Sequence, residues 1–138
     1  MNILFMNIKT FLVTSIAASF SMFIFAGLWH ELAMAAFYES ETHATHGGTG
    51  IIFLAYLVLG ILMTYFYYLV FKEKQPWKSN LKFGILVGLL WVFPHELAMA
   101  GAHDTSILYV IENAIWHMVE QGIGGITLGV VFWNVSIK

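Results

Sequence analysis

Apolar residues fall in four long runs along this chain, and the charged residues crowd between them and at their ends. The runs cover residues 10–38, 48–71, 81–102 and 107–136, the last polar in its first half and apolar from Ile123 onward. A helix needs about 20 mostly apolar residues to cross a bilayer core. No water reaches backbone N–H and C=O groups there, so their hydrogen bonds must close within each run, and a helix closes them. The pattern predicts an all-α integral membrane protein with four transmembrane helices in one bundle. Lys9 ahead of the first run and small residues after it also suit a signal peptide. Retention is the expectation, because cleavage would detach this run from a motif it shares with the third.

That motif is the phrase HELAMA, at residues 30–35 and again at residues 95–100. Further likeness follows each copy. His43-Ala-Thr-His46 opens the second run and His117-Met-Val-Glu120 lies within the fourth, with glycines after both. The chain therefore divides into repeat one, about residues 10–71, a cytoplasmic loop over residues 72–82, and repeat two, about residues 83–138. Each repeat is a helical hairpin, and both run the same way through the membrane. Two such parallel repeats predict a pseudo-two-fold axis along the membrane normal. Glycines at 84 and 88 and at 125 and 129 have the spacing that lets membrane helices approach closely.

Composition sharpens this picture. Hydrophobic residues make up 59% of the 138 positions and charged residues 10%, against roughly a quarter charged in soluble domains. The partner implied for the surface is the lipid bilayer. With no arginine in the chain, nucleic-acid and phosphate recognition are not expected. Cysteine is also absent, which removes disulfides, thiolate metal sites and cysteine nucleophiles. Lys72, Lys74, Lys78 and Lys82 crowd the middle loop, and Lys9 and Lys138 mark the ends. The positive-inside rule then puts both termini and the middle loop in the cytoplasm, N-in and C-in. The expected location is the cell membrane, with both HELAMA segments toward its extracytoplasmic side.

Helical geometry gathers the remaining polar residues. At about 100° per residue, His30, Glu31, Met34 and Tyr38 share one stripe, and so do His95, Glu96, Met99 and His103. His43 and His46 lie about 60° apart on a helix, as do His117 and Glu120. An unpaired charge deep in a bilayer costs about 2.5–3.5 kcal/mol on insertion scales, so such groups pair, line water or bind a cation. The sequence-level expectation is one layer of metal ligands: His30, Glu31, His43, His46, His95, Glu96, His117 and Glu120. Tyr38 and His103 are candidate proton donors. Glu39, Asp104, Glu112 and Asn113 are candidates to hydrogen-bond the ligands. Trp29, Trp116, Tyr38 and Tyr109 suit an aromatic belt at the membrane interface.

Imidazole and carboxylate without sulfur suit iron first, with zinc, manganese or copper as alternatives. The repeat favours two metal ions, as in helical bundles whose inward Glu and His hold di-iron or di-manganese centres. The expected function is a membrane metalloprotein with redox or oxygen-related chemistry. Four alternatives stay open. His30 and His95 could ligate a haem between two helices. A zinc-bound water could hydrolyse a lipid ester or amide. The polar groups could form a proton-conducting or structural network without metal. Finally, PHELAMAGAHD resembles the His-Glu helix motifs of zinc-transporting membrane proteins, and HMVEQG resembles their partner helix. That resemblance implies divalent-metal transport or delivery. A chain this short also suits a homo-oligomer or a subunit of a larger membrane complex.

Overall fold

The structure, a computed structural model, describes residues 7–29 and 48–136. Four helices carry them: α1 (Ile8–Leu28), α2 (Thr49–Val70), α3 (Trp77–His103) and α4 (Ile107–Ser136). Asn7 caps α1, its side chain accepting a 2.9 Å hydrogen bond from the backbone N–H of Lys9. After α2 the chain turns extended at Phe71 and stays so at Pro76. Proline fixes φ and offers no N–H, which suits the start of a helix, where donors go unpaired. The third helix therefore begins at Trp77, ahead of the expected residue 81. Lys78 and Lys82 ride on its first turns, and the middle loop shrinks to residues 71–76. Asp104 ends α3 in a left-handed conformation, φ 54°, which a short polar side chain tolerates better than most. Pro94 lies inside α3 without ending it.

The outer surface is apolar, and the interior joins an apolar cluster around Met22, Met63, Tyr67 and Leu128 to several buried polar residues. Along α1, Ile8, Leu12, Ile16, Phe20, Ile24 and Leu28 form an exposed apolar stripe at four-residue spacing. The opposite face buries Thr10, Thr14, Ser15 and Ser19. Further buried polar residues are Thr64, Asn80, Asn113, Glu120 and Gln121. Water would not select an apolar outer face over a polar inner one; a hydrocarbon solvent does. Three of the helices, α1, α2 and α3, are long and apolar enough to cross a membrane. The fourth has the length, but Glu112, Asn113, His117, Glu120 and Gln121 lower the hydropathy of its first half.

Small residues decide the packing. The most extensive contact joins α3 to α4, and α1 packs against both α2 and α4, while α2 touches α3 and α4 only lightly. Along the α3–α4 seam, Gly84 meets the backbone of Gln121 and Gly88 that of His117. Neither position has room for a Cβ. The seam of the first hairpin copies this contact at a constant step of 65 residues. A Cβ at Gly60 would stand 3.0 Å from the backbone N of Ser19, and one at Gly125 would stand 2.9 Å from that of Gly84. One further cluster ties α2, α3 and α4 together. The Tyr67 hydroxyl donates to Asn80 Oδ1 at 2.8 Å and accepts from Trp133 Nε1 at 3.2 Å. Phe83 and Phe132 pack edge-on against the Tyr67 ring.

Candidate functional site

The first half of α4 carries the chemistry. Asn113, Glu120 and Gln121 are buried, and His117 is half-buried on the same side. Gly84 and Gly88 of α3 make this possible, because a helix without side chains at those points lets the polar face of α4 come up against its backbone. Glu120 is fully buried. Its Oε1 accepts a 2.8 Å hydrogen bond from Gln121 Nε2, and His117 Nδ1 lies 3.8 Å from its Oε2. The Tyr56 hydroxyl and the Trp116 indole face the same carboxyl group. Even so, Oε2 and Trp116 Nε1 have no partner in hydrogen-bond geometry among the described residues.

Glu96 repeats the arrangement one helix away. Asn113 Nδ2 donates to its Oε1 at 2.7 Å, and its Oε2 is buried with no hydrogen-bond partner among the described residues. Each carboxyl group is thus gripped by a side-chain amide through one oxygen, and Glu120 has Tyr56, Trp116 and His117 about it as well. The two groups do not share a level. Gly88 faces His117, which puts Glu96 level with Tyr109. The Glu96 carboxyl group reaches back to Asn113, about 10 Å from Glu120 along α4 at a rise of about 1.5 Å per residue.

Several expected site residues stand apart. His95 is exposed, yet it lines a cavity of about 240 Å³ together with Met99, Tyr109 and the partly buried Glu96. His103 and Asp104 are exposed at the end of α3, and Glu112 is half-buried on α4. Asn113 does hydrogen-bond a candidate ligand. His30, Glu31, Tyr38, Glu39, His43 and His46 lie outside the described residues. Among the described residues no three His, Asp or Glu side chains come together as a metal-binding group. The rings of Trp29 and Trp116 stack at 4.1 Å and 8°. This stack sets Trp29, the residue before His30 in the sequence, against the segment of α4 that holds His117 and Glu120.

Two neighbours of Glu120, Tyr56 and Gln121, went unpredicted. Tyr56 sits inside an apolar run, where a tyrosine reads as bulk. Its signal was the stripe Tyr56, Gly60, Met63, Tyr67, spaced like one helix face, and all four are buried. The packing also pairs the second helices differently from the sequence alignment. The constant step sets His117 opposite Ile52 and Glu120 opposite Ala55, whereas the sequence alignment sets them against His43 and His46. Comparison of the chain with family models, curated proteins and solved structures finds no match.

Proposed function

We propose that this protein is an integral membrane metalloprotein: a four-helix bundle of two repeated hairpins holding transition-metal ions at a His/carboxylate site. The observation that carries this reading is a pair of carboxyl groups drawn out of solvent, Glu120 fully and Glu96 partly, each oriented by a side-chain amide and each with a histidine beside it. Ligating carboxylates are commonly held this way by a hydrogen bond to the other oxygen. Apart from histidine, with His117 3.8 Å from Glu120 and His95 beside Glu96, the chain places no cation near them, since its lysines lie at its ends and around the α2–α3 turn and it has no arginine. A bound metal ion offsets the cost of burying carboxylates in an apolar bundle.

Glu120 and His117 anchor one metal in this reading, and Glu96 with His95 a second. His30, Glu31, His43 and His46 complete the set from the segment between α1 and α2. Iron comes first, with zinc, manganese or copper as alternatives, and the chemistry is redox or oxygen-related, at the extracytoplasmic side of the cell membrane. Tyr38 and His103 serve as proton donors. Metal transport is the second reading, and one observation favours it. The hydroxyls of Thr10, Thr14 and Ser15 are buried without hydrogen-bond partners among the described residues, extending the polar interior along α1 away from Glu120.

Replacement of the anchors tests the proposal. His117→Ala and Glu120→Gln are expected to lose at least half of the bound metal while circular dichroism shows unchanged helix content. Full metal retention in both folded variants contradicts the site. Uptake of zinc or manganese into liposomes, abolished in Glu120→Gln, would favour transport.

A further inference from the structure

One end of the bundle collects the described lysines. Lys9 opens α1, Lys72 and Lys74 stand in the turn after α2, and Lys78 and Lys82 lie in the first turns of α3. All are exposed, and among the described residues none forms an ion pair. Two of them sit where charge repels charge. Lys78 and Lys82 are one turn apart on α3, about 40° around its axis, and like charges at that spacing are unfavourable. The acids of α4 do not answer them. Lys82 lies about 160° around α3 from Gly84, the point where the α4 backbone comes closest, so it faces away from Glu120. The stripe then turns apolar. Leu86 and Leu90 follow Lys82 at the same four-residue spacing and are 53% and 64% exposed. From Lys78 to Leu90 it runs about 18 Å at about 1.5 Å per residue. Trp77 is exposed beside it, with the Lys78 Nζ 5.8 Å from its ring centre, and tryptophan favours the headgroup level of a bilayer.

We infer that this stripe of α3 binds an anionic phospholipid, its headgroup between Lys78 and Lys82 and an acyl chain along Leu86 and Leu90. An anion between the two ammonium groups removes their repulsion, and lysines clustered at the end of a transmembrane helix attract anionic lipid. The long apolar stem of lysine lets its charge reach the headgroup from the helix surface. Depth chooses lipid over a soluble acidic partner. The turn over residues 71–76 is too short to lift these charges off the membrane, and Lys78 and Lys82 already belong to a helix long and apolar enough to cross it. Lysine is a point charge without the fork of arginine, so the contact selects net negative charge and not the shape of one headgroup. The inference rests on the membrane placement proposed above and is independent of the metal.

Electron paramagnetic resonance of spin-labelled phosphatidylglycerol and phosphatidylcholine tests this, with the full chain in phosphatidylcholine vesicles. Both lipids should show a motionally restricted fraction at the protein surface, with the anionic one favoured about threefold or more. The double variant Lys78→Gln/Lys82→Gln should lose most of that preference, and Lys78→Arg/Lys82→Arg should keep it. Salt at about 0.5 M should reduce it, since exposed charges are screened. Equal restriction of the two lipids by the wild type overturns the inference, which is also the result if an acidic protein is the true partner. So does a preference that survives the double glutamine variant. Glycerol phosphate, the soluble head alone, should not compete at the concentration of the lipid; competition would assign the lysines to a free phosphate instead. Restricted lipid without charge preference sinks the lipid site alone, whereas no restricted lipid of either kind sinks the membrane placement with it.

Discussion

Glu120 has a histidine, a glutamine, a tyrosine and a tryptophan around it and no lysine or arginine. In water such a group would be unexceptional. Inside an apolar bundle it needs a cation or a proton, and the amides on Glu120 and Glu96 hold each carboxyl group in one orientation for either. Asn113 is the residue that separates these roles from simple packing. Asn113→Ala removes the donor to Glu96 and leaves a buried oxygen unpaired, a loss of about 1–3 kcal/mol. Thermal unfolding in detergent should show that loss, and metal binding should weaken with it. Unchanged stability would mean the Asn113–Glu96 bond carries no net free energy. Glu96 and Glu120 were legible because a charge in an oily run stands out. Tyr56 and Gln121 were not, since nothing local marks a tyrosine in an apolar run, or an amide beside an acid, as part of a site.

At the scale of the helix, glycine placement decides how close the partners come. A Cβ at Gly84 would collide with the Gln121 carbonyl, whereas one at Gly101 meets nothing within 4 Å. Gly84→Val should therefore pry α3 from α4 and lower the melting temperature, a loss of at least about 2 kcal/mol expected for overpacking a tight seam. Gly101→Ala should be neutral or raise stability by up to about 1 kcal/mol through helix propensity. Differential scanning calorimetry of both variants checks the contrast; equal effects would contradict the close seam. Helix existence was readable from run length, and α2 and α4 follow the expected runs closely. The start of α3 was not, because Lys78 and Lys82 look like loop in a hydropathy pattern while Pro76 in fact launches the helix. Burial of Asn113 and Glu120 was foreshadowed by the cost of facing lipid. Their spread along the helix depends on the register set by Gly84 and Gly88, which spacing alone does not reveal.

For the whole molecule, the step of 65 residues links sequence and architecture. It relates the HELAMA copies in the chain and the Ser19–Gly60 and Gly84–Gly125 contacts in space. The described helices pack closely along α3–α4, α1–α2 and α1–α4 and loosely between α2 and α3, and an interior with both apolar and polar side chains lies under an apolar exterior. The central claim is that metal ions, not protons, make that interior tolerable. Elemental analysis of the intact protein, purified in mild detergent without chelator, measures this directly. The account predicts one or two transition-metal ions per chain, iron foremost, with no haem Soret band. A folded, helical protein carrying no metal would contradict it.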